Sequence, residues 1–245
     1  MKLFRVLIPA LMPLLIGSTA AGQLPDKFEN LQFLPKTISP DSLTQIMRGF
    51  SFALGVRCQS CHSGGDGLSF EGVNFPADDK PAKRKARYML TMVDRINGEL
   101  LAGIEHKADP AVKVHCATCH RGSALPKSIE QVLAETIRKD GAPAAVARYK
   151  QLRESTMVQG KYDFGEWSIN ELARKLVASG DTTSAIAMFE MNAGYYPQSV
   201  SIDLMLAHLY RAKGDVLKAI ARVESVLQRQ PNNPEARRLL EQLRR

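Results

Sequence analysis

The sequence predicts a mainly α-helical protein, in which a domain containing two copies of one short motif is followed by a short helical-repeat domain. Two observations support this prediction. Apolar residues recur at helical spacing ahead of each Cys-x-x-Cys-His motif, over residues 43–54 and 89–100. In the last third of the chain, matching residues recur with a period of 34. We therefore expect helices to dominate both parts.

The N-terminus is typical of a secretory signal peptide. Lys2 and Arg5 give a positive start, and they are followed by an apolar run (6–16) and by small residues (18–22). The run is shorter than the ~20 residues that a membrane span needs. We therefore interpret the segment as a cleaved signal, with cleavage expected after Ala21 among the small residues. An uncleaved N-terminal anchor is the competing interpretation. With cleavage, the mature chain is exported.

All four cysteines belong to two Cys-x-x-Cys-His motifs. Disulfides are one use of such cysteines in an exported chain, and a zinc site would need four ligands at one point. Neither explains a histidine directly after the second cysteine in both copies. Haem attachment does, because the thiols add to the haem vinyl groups and the histidine binds the iron. We therefore predict two covalently bound c-type haems, attached through Cys58, Cys61, Cys116 and Cys119 and ligated by His62 and His120.

The sixth ligand of the first iron is sought on the helix that precedes the motif. Ser39 is a suitable N-cap, and Gly55 is a suitable end to a helix over the residues between them. Met47 lies on the apolar face of this helix, and a reversal at Gly55 would bring its thioether back to the haem attached at Cys58. The alternative is that Met47 only fills the core.

The second motif has the same plan with more candidates. Met89 and Met92 share one apolar helical face, but a longer polar stretch separates them from Cys116. Periodicity does not choose between them. His106 and His115 lie in the intervening loop, and either one would give bis-histidine ligation in place of a methionine.

At this point the sequence resembles a known family. The stretches "QIMRGFSFALGVRCQSCH", "FPADDKPAKRKARYMLTMVDRIN" and "VHCATCHRGSALP", within residues 40–126, resemble the cytochrome c subunit of bacterial photosynthetic reaction centres. The resemblance implies haems that lie along methionine-bearing helices, with Met47 as axial ligand of the first and Met89 of the second (Met92 is the alternative). The family subunit binds four haems, whereas this chain has motifs for two, and its loop before Cys116 is longer.

The final third resembles tetratricopeptide repeats. Leu172 and Leu206, Gly180 and Gly214, and Pro197 and Pro231 are each 34 residues apart. Small residues at these offsets allow paired helices to approach closely, and Gly-Asp forms the turn within each pair. Two repeats are fewer than the ~3 usually needed for stability. Residues 128–157 are therefore interpreted as a degenerate helical hairpin, with Ala145 and Tyr149 at the positions of Ala185 and Phe189.

The predicted organisation has four parts: a signal peptide (1–21), a two-haem c-type cytochrome domain (22–127), a helical connector or degenerate repeat (128–165), and two tetratricopeptide repeats with a capping helix (166–245). Repeat arrays present a concave surface to proteins, so we expect a protein partner there; packing on the haem domain is the alternative.

The net charge of +8 is concentrated in the repeats, since residues 136–245 contain 17 basic and 12 acidic residues. An exported chain has little reason to bind nucleic acid, and we expect no such partner. A basic run at residues 80–87 has three interpretations: it steers an acidic redox partner, pairs with haem propionates, or is a solvated helix face.

These features predict an electron carrier rather than an enzyme, because two axial ligands on each iron leave no open coordination position. The expected partners are a redox donor and an acceptor, and by resemblance a membrane-bound reaction centre or respiratory complex. The expected location is the periplasm, free or at the outer face of the inner membrane. A two-haem peroxidase and a haem-containing scaffold or sensor are the alternatives.

Overall fold

The computed structural model describes residues 28–67, 69–105, 111–155 and 160–245. The chain divides into two compact units, Met1–Ala124 and Leu125–Arg245. Ten α-helices and one small two-stranded sheet lie within the described residues, which confirms the mainly α-helical class. The predicted signal peptide and His106 fall outside these residues. None of the described helices is both long and apolar enough to cross a membrane.

Helix α1 of the first unit, Pro40–Leu54, begins and ends where its sequence dictates. Ser39 Oγ accepts a hydrogen bond from the backbone N–H of Ser42 at 3.2 Å, and Pro40 occupies the first turn, where a missing N–H is tolerated. Gly55 ends the helix in the left-handed conformation, with φ of 64°. The chain reverses there and enters the first cysteine motif.

The rest of the first unit is short elements around one further long helix. In chain order these are a 3-10 turn (Cys58–Ser60), strands β1 (Ser63–Gly64) and β2 (Val73–Asn74), helix α2 (Pro81–Arg95), a π-helical turn (Ile96–Leu100), a second 3-10 turn (Leu101–Gly103) and helix α3 (Cys116–His120). The two strands pair antiparallel, with Ser63 opposite Asn74. Helix α3 is the second cysteine motif itself.

Helix α3 lies against α1 through a close contact between two glycines. The backbone N–H of Gly122 donates to the carbonyl of Ala53 at 2.9 Å. A Cβ atom on Gly55 would lie 2.2 Å from the carbonyl oxygen of Gly122, so any side chain there would clash with the backbone. The turn after the second motif therefore lies against the end of the helix that precedes the first motif.

The second unit consists of three helical hairpins and a final helix. The hairpins are α4 (Ile129–Asp140) with α5 (Ala142–Glu154), α6 (Glu166–Ala178) with α7 (Thr182–Tyr195), and α8 (Val200–Ala212) with α9 (Val216–Arg229); the final helix is α10 (Pro234–Leu243). The side chains of Asp181 and Asp215 cap α7 and α9, directly after Gly180 and Gly214. Both glycines have positive φ, 85° and 83°, which explains the Gly-Asp pair at these turns.

The first hairpin packs as the repeats do. Ala185 and Phe189 of α7 are fully buried, and Ala145 and Tyr149 of α5, which correspond to them, are also at 0% exposure. The guanidinium of Arg153 lies 4.4 Å from the ring centroid of Tyr195 and donates to the hydroxyl of Tyr149 at 2.9 Å. The Arg153–Tyr195 contact joins the first hairpin to the second, and the hydrophobic core continues through all three hairpins.

Candidate functional site

The first cysteine motif opens onto an apolar cavity of about 540 Å³ that Met47 also lines. The motif is wound into a tight turn, because the backbone N–H groups of Cys61 and His62 both donate to the carbonyl of Cys58, at 3.0 and 2.9 Å. This turn places Cys58, Cys61 and His62 on the wall of the cavity, together with Met47. The structure thus brings together all four residues predicted for the first site, although they are spread over 16 positions of the sequence.

Met47 lies at the centre of the face of α1 that lines this cavity. The other lining residues of the helix are Leu43, Thr44, Arg48, Phe50, Ser51 and Leu54. At ~100° per residue, the mean direction of these side chains falls within about 20° of Met47. The methionine is therefore directed into the cavity, as an axial ligand must be, although core packing alone would also place it there.

The remaining cavity walls are mostly apolar. They come from the segment 28–34, from Phe70 and Phe75 on either side of β2, and from Ala86 and Leu90 of α2. Ligand sites of several hundred Å³ with apolar walls and a few polar groups are typical of cofactor pockets. The dimensions and chemistry of this cavity fit a covalently attached haem.

Burial shifts the pKa of His62 and of Cys61 in the directions that disfavour their charged forms. Burial, and next the positive charge of Lys83, lower the pKa of His62, which keeps its imidazole neutral and able to bind a metal. The ring is packed edge-on against Phe75 with 5.1 Å between centroids. Burial, reinforced by Cys58, raises the pKa of Cys61. Both effects follow from the apolar surroundings.

The basic residues at the start of α2 form hydrogen bonds and ion pairs with other parts of the protein. Lys83 Nζ donates to the carbonyls of Phe75, Pro76 and Ala77 at 2.7, 3.0 and 2.7 Å, and its side chain is only 13% exposed. It also lies 3.1 Å from Asp78. The loop that these bonds hold forms part of the cavity wall, so Lys83 stabilises the first site.

Three more cations of this run act in the same way. Arg87 forms an ion pair with Asp78 at 2.7 Å, and this contact, together with Asn30 and Lys83, holds the pKa of the Asp78 carboxyl well below its usual range. Arg84 donates to the Asp78 carbonyl at 2.5 Å, and Lys80 donates to the carbonyl of Gln59, between the two cysteines of the first motif. The basic run does not by itself predict this structural role, because a run of charges does not indicate which backbone carbonyls the fold will bring close to it.

The second motif forms helix α3 and has a more open setting. Cys116 and His120 are half-buried, whereas Cys119 is exposed. His120 Nδ1 lies 2.9 Å from the carbonyl oxygen of Ser123, a contact in which the ring donates its Nδ1 proton. That hydrogen bond fixes the tautomer and leaves Nε2 free as a ligand atom, as at many haem and metal sites. His115 directly precedes Cys116, and its backbone N–H donates to Thr118 Oγ1 at 3.0 Å.

Helix α2 carries the two methionines on a different side from its cavity-lining residues. Lys83, Ala86, Arg87 and Leu90 line the first cavity. At ~100° per residue, Met89 lies about 110° and Met92 about 170° around the helix from the centre of that face. Met89 is half-buried and Met92 is 38% exposed. The helix thus has one face for the first site and another that bears both ligand candidates for the second.

One polar contact joins the methionine helix to the second motif. The side-chain amide of Asn97, in the π-helical turn after α2, donates to the carbonyl of Val114 and accepts from its backbone N–H, both at 2.8 Å. Val114 lies two residues before Cys116. Sequence reasoning missed Asn97, because an asparagine at the end of a helix is normally interpreted as a cap or a turn residue.

Comparison with known proteins gives family matches for both parts of the chain. Residues 58–161 match the family described as photosynthetic reaction centre cytochrome C subunit, and residues 176–243 match the tetratricopeptide repeat. The first match contains both cysteine motifs, Met89 and Met92, whereas Met47 lies before it. The second contains α7, α8, α9 and α10 but only the last three residues of α6.

Two curated relatives align with less than half of the chain. Cytochrome c-554 of Chloroflexus aurantiacus is 33% identical over 108 residues, which cover 44% of this chain and 23% of the relative. The photosynthetic reaction center cytochrome c subunit of Rubrivivax gelatinosus is 29% identical over 110 residues, which cover 42% and 28%. The alignments thus span about a quarter of each relative's length. On these matches, the first unit contains a c-type cytochrome domain similar to the photosynthetic reaction centre cytochrome c subunit, and the second unit contains tetratricopeptide repeats.

Proposed function

We propose that this protein is an exported two-haem c-type cytochrome that carries electrons between redox partners. The observation that supports this most directly is the apolar cavity shared by Met47, Cys58, Cys61 and His62. It supplies the two attachment thiols and a candidate ligand for each side of one iron. A haem bound there would supply reversible one-electron chemistry.

The residues around the first haem favour a carrier over a catalyst. His62 and Met47 would occupy both axial positions, so that no coordination position remains for a substrate. The mostly apolar walls would limit contact between the haem and water, and the backbone-anchored Lys83 would keep the loop at Phe75 in place as the iron changes charge. A site of this kind limits the rearrangement that accompanies each electron transfer.

The second haem would be attached to Cys116 and Cys119, with His120 as one axial ligand. The hydrogen bond from His120 Nδ1 to Ser123 supports this assignment, because it directs the other ring nitrogen away from the protein backbone. Met89 is the proposed sixth ligand and Met92 the alternative. The Gly55–Gly122 contact holds the two motifs near each other, so electrons would pass between two neighbouring haems.

The repeats would dock a protein partner through the inner face of their first helices. Trp167 is 66% exposed, and the guanidinium of Arg174 lies 5.3 Å from its ring centroid. Exposed tryptophan and arginine are the residue types most enriched at the centres of protein interfaces. By the 34-residue period, Arg174 corresponds to His208 in the next repeat.

The charge of this face favours an acidic partner segment. His208 lines a surface depression with Arg211 and Arg238, and it pairs with Glu235 at 2.9 Å. Three arginines, counting Arg174, therefore share the face with two glutamates, Glu235 and Glu171, the second of which pairs with Lys175 at 3.7 Å. An acidic segment of a redox partner, such as a membrane-bound reaction centre or a respiratory complex facing the periplasm, complements this distribution.

The proposal is tested by near-infrared magnetic circular dichroism of the oxidised, purified protein, with the haem content measured in the same sample. We expect two haems per chain, both low-spin and both with the methionine-to-iron signature. One haem per chain would contradict the two-site assignment. A high-spin fraction would reveal an open iron, and a two-haem peroxidase would then replace the carrier as the working function.

A further inference from the structure

Asn97 holds the chain ahead of the second motif through both the carbonyl oxygen and the NH₂ group of its side-chain amide. Its Nδ2 donates to the Val114 carbonyl and its Oδ1 accepts from the Val114 N–H, each at 2.8 Å. Asn97 and Val114 are both half-buried. One side chain thus pairs with a backbone as a neighbouring β-strand would, and both polar groups of Val114 are satisfied.

The Asn97–Val114 contact joins two parts of the second site that are far apart along the chain. Met89 and Cys116 are 27 residues apart in the sequence, and residues 98–113 connect the methionine helix to the motif. A loop of that length does not itself fix the separation between its ends. The Asn97 contact does so directly, because it joins the C-terminal end of the helix to a residue two positions before Cys116.

The backbone around Asn97 departs from regular α-helix at this point. Ile96–Leu100 forms a π-helical turn, in which the N–H of Leu101 bonds to the carbonyl of Ile96. The π-helix is rare, and its single turns within α-helices occur frequently at functional sites. Here the π turn contains the residue whose amide meets Val114.

We infer that Asn97 is a positioning residue for the second haem: it keeps the methionine face of α2 in register with Cys116, Cys119 and His120. The inference rests on the proposed two-haem function but does not depend on which methionine ligates, since Met89 and Met92 lie on the same helix. The two hydrogen bonds of the Asn97 side chain go to Val114, so Asn97 acts on the motif through that residue.

The test compares three variants of the full-length, haem-loaded protein. Asn97→Ala removes both hydrogen bonds. Asn97→Asp keeps the size and the acceptor but loses the donor to the Val114 carbonyl. Glu99→Gln is the matched control, because Glu99 lies in the same π turn and pairs with Arg95 at the exposed surface, at 3.0 Å.

In the wild type and the control we expect the methionine-to-iron signature from both haems. In Asn97→Ala we expect this signature from the first haem only, and we expect carbon monoxide to bind the iron of the second haem. In Asn97→Asp we expect a changed reduction potential of the second haem. The first haem, ligated by Met47, serves as the internal reference. If the Asn97→Ala protein does not incorporate its haems, the spectrum and potential of Asn97→Asp test the positioning role instead.

Two normal methionine signatures and unchanged potentials in the variant that matures would refute the positioning role. A wild type that itself lacks a second methionine-ligated haem would instead contradict the proposed function. The two failures are therefore distinguishable in the same set of spectra.

Discussion

Gly55→Ala should destabilise the first unit far more than Gly122→Ala. Both glycines have the left-handed backbone conformation, and the two lie against each other. Their φ values are 64° and 74°. A Cβ atom on Gly122 would have its nearest neighbour at 3.9 Å, an ordinary contact, whereas a Cβ atom on Gly55 would lie 2.2 Å from the Gly122 carbonyl oxygen. The pair therefore separates backbone strain from steric overlap.

The expected free energies of unfolding follow from these distances. Left-handed backbone costs an alanine about 1–2 kcal/mol, which applies to both variants. In Gly55→Ala the two backbones must also move apart, and overpacking of this kind costs roughly 1–3 kcal/mol. The hydrogen bond from Gly122 to Ala53, 2.9 Å long, would be strained or lost, which adds about 0.5–1.5 kcal/mol. Gly55→Ala should thus lose roughly 3–6 kcal/mol and Gly122→Ala about 1–2.

Urea unfolding followed by haem absorbance measures the difference, because the haems report on the first unit. With a slope of ~1–3 kcal/mol per molar urea, an extra ~2–4 kcal/mol lowers the midpoint by about 1 M or more. Far-UV circular dichroism serves as a control, since most helical residues belong to the second unit. If both variants shift the haem midpoint equally, the close approach of Gly55 to Gly122 is wrong.

Three further predictions address the haem site, the repeats and pH. Met47→Ala should lower the potential of one haem and allow carbon monoxide to bind it; an unchanged spectrum and potential would show that Met47 is not a ligand. Arg174→Glu should weaken binding of an acidic redox partner at low salt at least tenfold in a titration, whereas Arg148→Glu, the same charge change on an exposed residue of α5, should not. The pKa of Tyr210 is raised to about 12 by burial and by the Glu190 carboxylate, so this tyrosine stabilises the fold fully below pH ~10 and that stability is lost as the pH rises towards 12; Tyr210→Phe should flatten the decline in thermal stability over that range.

The sequence sufficed for those parts of the protein in which a short local pattern specifies geometry. Ser39, Pro40 and Gly55 delimit α1, because caps and left-handed glycines act within one turn of the helix. The shared spacing of an alanine and an aromatic residue four positions later placed Ala145 and Tyr149 in correspondence with Ala185 and Phe189, and all four are fully buried. Met47 was likewise placed on the face of α1 that lines the cavity, because helical spacing alone determines which residues share a face.

Contacts between distant segments could not be predicted in this way. Lys83 meets the carbonyls of a loop, and Asn97 meets a residue 17 positions away, and both depend on where the fold brings those backbones. A lysine in a basic run is most often solvated, so charge patterning pointed to a surface role. The same limit leaves Met89 and Met92 as alternatives, because both are compatible with the periodicity of α2.

The position of α2 explains why these unpredicted contacts concentrate on it. The helix lines the first cavity with Ala86 and Leu90 and presents its methionines on another face. On the proposed two-haem assignment, its rotation about its own axis would affect both haem sites at once. Lys83 and Arg87 anchor the N-terminal half to the Phe75–Asp78 loop, and Asn97 anchors the C-terminal end to Val114. A helix that serves two cofactor sites would need to be fixed at both ends, and these polar anchors supply that constraint where few buried apolar contacts do.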